Sequence, residues 1–154
     1  MNSRLPVSMV LRVGIWFLAG VLVAVGAVAT LAPRTFYDRI PWVSLAPPYS
    51  EHLMRDYGAM NLALALVMVV AAATMDRLMV RTTLAAYVVF AVPHLVFHVL
   101  HHHRYTTTEV VGETTTLIIA ALLPLGLLWL TRGKNEPTAV AQPRSIRIFW
   151  RPGR

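Results

Sequence analysis

The chain contains no cysteine, which excludes disulfides, thiol–disulfide exchange and thiolate-bound metals together. Charge is scarce as well. Only 14% of residues are charged against 56% hydrophobic, and a soluble domain needs a larger charged share to cover its surface. Acids are the rarer sign, with seven Asp and Glu against fourteen Lys and Arg. No phosphate-binding loop, nucleophile elbow or HExxH helix is present, and no serine lies close to the histidines of the 94–101 stretch. Serine hydrolysis is therefore disfavoured, and enzyme chemistry would need a bound cofactor.

What the sequence has in plenty is apolar chain. Its 154 residues amount to one domain, and four runs within it approach the ~20 residues that cross a bilayer as a helix. The expected fold is all-α: a four-transmembrane-helix bundle at residues 1–132, followed by a basic cytoplasmic tail at 133–154. The first span runs from about residue 10 to 32. Ala27-Val28-Ala29 looks like a cleavage site, but the apolar run is longer than the ~7–15 residues of a signal h-region, so the span is read as retained. Its Gly14, Gly20, Ala24, Gly26 and Ala29 suit close helix packing.

Residues 33–49 carry Pro41, Pro47 and Pro48, so an irregular extracytoplasmic loop with no regular helix is expected there. Phe36, Tyr37, Trp42 and Tyr49 suit the headgroup zone, and the loop reads as an interfacial cap over the bundle. The second span starts at Ser50, an N-cap, with Glu51 in the first turn, and ends near Thr74. A short turn at Met75-Asp76-Arg77 leads into the third span, from Leu78 or Thr82 to His101, which Pro93 should bend. Thr106 and Glu109 have capping-box spacing and open the fourth helix, which ends near Leu130.

Counting basic residues near the span ends sets the orientation. Arg4, Arg12, Arg77, Arg81, Arg132, Lys134, Arg144, Arg147, Arg151 and Arg154 fall on one side. Arg34, Arg39, Arg55 and Arg104 fall on the other. Ten against four puts both termini in the cytoplasm of a multi-pass protein of the plasma (inner) membrane. The tail RSIRIFWRPGR sets Phe149 and Trp150 among arginines, a pattern that suits anionic lipid and calls for no nucleic acid.

The polar residues that could carry chemistry gather at the outer end. His94, His98 and His101 share one face of the third span, and Tyr87 and Phe90 extend the stripe inward. His52 and Asp56 are one turn apart on the second span, with Arg55 beside them and Asn61 deeper. Glu109 and Glu113 open the fourth. Two imidazoles at i, i+4 form a bidentate clip, so His94, His98, Asp56 and Glu113 are the candidate ligands for a divalent metal. Haem b would use His52 with His98. A quinone, lipid or proton-handling site, with Asp56, Glu113 and the histidine stripe as a relay, is a further alternative.

The plainer reading is structural and is preferred. In it His101, His102 and His103 satisfy open carbonyls at a helix end, and His94 and His98 bond across helices to Asp56, Asn61 or a threonine. Arg55 and Asp56 then form a buried ion pair. Met54, Met60, Met68, Met75 and Met79 form no single stripe and read as core or lipid contacts. The resulting expectation is a small membrane subunit or scaffold, as a homo-oligomer or within a larger membrane complex.

Four short spans, with RDYGAMNLALALVMVVAA opening the second, resemble the DoxX-like group of small bacterial membrane proteins. FYDRIPWVSLAPPYSEHLMRDYGAMNLALA followed by VPHLVFHVLHH is similar to uncharacterised actinobacterial members of that group. The resemblance covers about residues 13 to 131 and implies the four-helix architecture. DoxX-like proteins are linked in places to quinone or thiol redox complexes, but the absence of cysteine removes a thiol role here. No catalytic residue carries over.

Overall fold

A computed structural model describes residues 6–45, 48–101 and 105–133. Arg4, Pro47, His102, His103, Arg104, Lys134 and the basic tail lie outside the described residues. Helices α1 (Val7–Leu31), α2 (Pro33–Arg39), α3 (Glu51–Thr74), α4 (Arg77–Leu100) and α5 (Thr107–Leu130) follow one another, and a 3₁₀ turn at Thr131–Gly133 closes the series. There is no strand among the described residues. Four of the helices, α1, α3, α4 and α5, are long and apolar enough to cross a membrane. At 24 or 25 residues each, they extend about 36 Å. This is a four-span membrane protein.

The helix ends follow from local chemistry. The Ser50 hydroxyl accepts from the Leu53 amide at 3.3 Å and starts α3. The Asp76 carboxylate accepts from the Met79 amide at 2.8 Å and starts α4. Met75, in the left-handed region at φ 52°, ends α3, so a two-residue turn reverses the chain. The capping box expected at α5 is complete: the Glu109 carboxylate accepts from the Thr106 amide at 2.8 Å, and the Thr106 hydroxyl accepts from the Glu109 amide at 3.4 Å. Helix α4 continues through Pro93 and α5 through Pro124.

One expectation needs correcting. The 33–49 segment is not wholly irregular, because α2 occupies its first seven residues. Pro33 stands in the first turn, where a missing amide hydrogen costs nothing, and the helix is over before Pro41.

The bundle is built from two helix pairs. Helix α1 packs chiefly on α3 and α4 chiefly on α5; the pairs meet through α3 and α4, while α1 and α5 touch only lightly. The buried stripe of α1, Ile15, Leu18, Ala19, Leu22, Gly26 and Ala29, recurs every three or four residues. It meets Ala65, Met68, Ala71 and Ala72 of α3 in a core that also takes in Val80, Leu84, Tyr87 and Ala91 of α4. The outward faces carry Leu31, Leu78 and Val89, each about three-quarters exposed (79%, 75% and 74%). Apolar surface on that scale belongs against acyl chains.

A second, smaller core lies at the end where α1 meets α3. Phe36 of α2 joins Ala29 and Met54 there, flanked by Tyr37, Ile40, Val43, Tyr49 and Tyr57. The segment after α2 reaches across to α5, where Trp42 rests over Gly112. The cap expected from the aromatic residues is thus seated on α1, α3 and α5, and it defines the capped end of the bundle.

Candidate functional site at the capped end

Glu113 is almost two turns into α5 and fully buried. A carboxylate at such a position requires a partner. His98 supplies it from α4: its Nδ1 lies 2.6 Å from Oε1 of Glu113, with side-chain exposures of 18% and 1%. At that distance the two side chains are in direct contact. The pair joins α4 to α5 just below the cap.

His98 is the end of a run of rings. His94 meets it edge-on with centroids 4.6 Å apart. His94 in turn stacks on Phe90 at 5.3 Å and faces Tyr57 of α3 at 6.1 Å. Tyr57 continues to Phe36 in the cap at 5.9 Å. On the other side of the carboxylate, Tyr105 donates to the Trp42 carbonyl at 3.0 Å. Burial raises the Tyr105 phenol above its ordinary pKa, and the charge and hydrogen bonding of Glu113 raise it further. Glu113 thus has an imidazole on one side and a phenol on the other, with the Trp42 loop above.

The remaining candidates fall elsewhere. His52 and Asp56 pair with each other at 3.2 Å on the surface of α3, with side chains 89% and 63% exposed. Arg55 does not form the expected buried pair with Asp56. It bonds Glu51 at 2.8 Å, and its Nη1 donates to the Thr30 carbonyl at 2.6 Å. It therefore caps the end of α1 from the neighbouring helix. The reason is spacing: Glu51 is one turn behind Arg55, whereas Asp56 is adjacent and points off at about 100°. Buried Asn61 donates to the Tyr57 carbonyl of its own helix at 2.7 Å. Glu109 is committed to the capping box. His101 lies 2.6 Å from the Phe97 carbonyl and stacks on the Phe97 ring, the helix-end role expected of it; its neighbours His102 and His103 lie outside the described residues.

Of the four expected metal ligands, then, His94 adjoins His98 and His98 adjoins Glu113, while Asp56 is engaged on another surface. Among the described residues, no group of three His, Asp or Glu side chains could hold a metal ion. The two histidines considered for haem turn to different partners, His52 to Asp56 and His98 to Glu113. His98 takes Glu113, and not the Asp56, Asn61 or threonine weighed as its cross-helix partner.

Sequence reasoning passed over Tyr57 and Tyr105. Tyr57 carries a weak signal, one turn before Asn61 and next to Gly58. Tyr105 carries none, because it belongs to a loop and no helical periodicity ties it to Glu113. No family model, curated protein or solved structure matches the chain.

Proposed function

We propose that this protein is a small four-span subunit or scaffold of the plasma (inner) membrane, with both termini cytoplasmic and the capped end facing outward. The outward surface formed by α2, the Trp42 segment and the exposed His52–Asp56 pair is its docking face. The observation that carries this reading is the closed His98–Glu113 contact. That contact sets the two side chains best placed to hold a ligand against each other and joins α4 to α5. The count of ten basic residues against four supports the orientation. The resemblance to DoxX-like proteins, read from the span layout and the segments quoted above, implies a four-helix architecture and no catalytic residue.

The test is elemental analysis and an absorption spectrum of protein purified in mild detergent, repeated on His94→Gln and His98→Gln. The expected result is no stoichiometric metal and no Soret band in any of the three, with folding perturbed in His98→Gln. A stoichiometric metal or chromophore lost in either variant would overturn the scaffold reading in favour of a cofactor.

A proton-handling role is the second reading, favoured by the unbroken succession His94, His98, Glu113 and Tyr105. Asp56 is not part of that succession. This reading predicts a proton flux in proteoliposomes that Glu113→Gln abolishes. Absence of any such flux across the pH range in which imidazole titrates would end it.

A further inference from the structure

At the opposite end of the bundle, α1 and α5 touch lightly, and the face of α5 beside Val10 of α1 carries an open apolar groove, the slot. Leu127 of α5, one of the residues lining the slot, seats on Gly14, where a Cβ would stand 2.8 Å from its methyl carbons. The slot holds about 570 Å³, and its walls, including Val10, Ile119, Leu122, Gly126 and Trp129, are almost wholly apolar. Along α5 it extends from Ile118 to Leu130, about 18 Å at the helical rise. A Cβ at Gly126 would meet nothing within 4 Å.

Positive charge stands at the mouth of the slot. Arg132, exposed, is two residues past Leu130, and Arg77 of α4 donates to the Thr131 carbonyl at 3.4 Å. Arg12 and Arg81 lie at the same end, where Asp76 is the one acid among the described residues and is occupied in capping α4. An open apolar groove with a cationic end matches an amphiphile with an apolar tail and an anionic head. The volume falls within the ~300–1,000 Å³ of small-molecule sites.

We infer that the α1/α5 slot binds one anionic phospholipid, its acyl chain along α5 and its phosphate at Arg132, with Trp129 at the level of the glycerol. This rests on the reading of the protein as membrane-inserted but not on its docking role or orientation. A binding measurement in detergent therefore fails or succeeds independently of those.

The full chain, solubilised and stripped of lipid, is titrated with phosphatidylglycerol or phosphatidylcholine and read by native mass spectrometry. One phosphatidylglycerol should be retained, with a preference of about fivefold over phosphatidylcholine, the factor one basic residue near a phosphate supplies. Arg132→Gln should remove most of that preference. Gly126→Leu should fill the slot and abolish retention of both lipids without lowering the melting temperature, because open space surrounds the new side chain. Equal retention of the two lipids, or undiminished retention in Gly126→Leu, would overturn the assignment. With no native cysteine in the chain, Gly126→Cys also tests whether a second copy fills the slot. Efficient disulfide-linked dimers in native membranes would give the slot to that copy and overturn the proposal; their absence together with lipid retention supports it.

Discussion

Helices α1 and α3 meet backbone to backbone, whereas α4 and α5 are joined by polar groups near their ends. At the first crossing, a Cβ on Gly26 would stand 2.9 Å from the Gly58 carbonyl oxygen, and one on Gly58 would stand 2.6 Å from the Thr30 amide nitrogen. At the second pair, His98 contacts Glu113 at the capped end and Arg77 reaches the Thr131 carbonyl at the other. Lipid tails are as apolar as leucine, so burying apolar side chains between helices gains little there. What remains is close packing or polar bonding, and each half of this bundle relies mainly on one of them. The difference teaches that the two pairs should fail in different ways.

The largest effect is expected at the glycine crossing. Gly58→Leu must push α1 away, since backbone atoms of Gly26 and Thr30 stand in the path of the new side chain. A loss of at least about 3 kcal/mol is expected, the upper end for overpacking, measured by steric trapping or thermal melting in detergent. Gly20→Ala is the control: open space surrounds its Cβ, so stability should hold or rise slightly. Equal damage from both substitutions would mean that the close approach of α1 and α3 is not what holds the pair.

A smaller loss is expected at the polar joint. His98→Ala removes the imidazole that contacts the buried Glu113 carboxylate and should cost about 2 kcal/mol. Adding Glu113→Leu should recover most of this, because replacing a buried pair by apolar side chains removes the unmet desolvation cost. If the double variant is as unstable as the single, the pair does more than join two helices, and the proton-handling reading gains.

The smallest effect concerns Tyr105. Its phenol is raised above the usual value by burial and by Glu113, so the folded protein favours the protonated form. The stabilising contribution is complete below the unfolded pKa of about 10 and is lost as pH rises from there through the folded value. Ultraviolet difference titration of the protein against Tyr105→Phe should show one phenol ionising later than a free tyrosine. An early transition would mean that the cap does not hold Tyr105 over Glu113.

Much of the architecture could be read directly from the residues. Ser50 and the Thr106–Glu109 box sit where α3 and α5 begin, because a cap is a contact within four residues of chain; Asp76, read as part of a turn, proves to be the cap of α4. The spans are legible for a similar reason, since bilayer thickness imposes a length that composition reveals. Helix α2 was hidden by reading the prolines of 33–49 as a group, when only their positions within the segment matter. The candidate site was legible in part. His94, His98 and Glu113 were singled out by depth and periodicity, but Asp56 was grouped with them on depth alone, and depth does not say which way a side chain turns.

The sequence alone determined that the chain crosses a membrane four times as helices, where those helices begin, and that no thiol chemistry is available. Those properties depend on composition and on contacts between near neighbours. Tertiary structure decided that Glu113 takes His98, that Arg55 caps α1 instead of pairing with Asp56, and that an open apolar groove lies along α5 beside Val10 of α1. Each of these depends on the rotation of one helix about its axis relative to another. That angle is set by which small residues let two backbones approach, a relation between distant positions that no local pattern encodes.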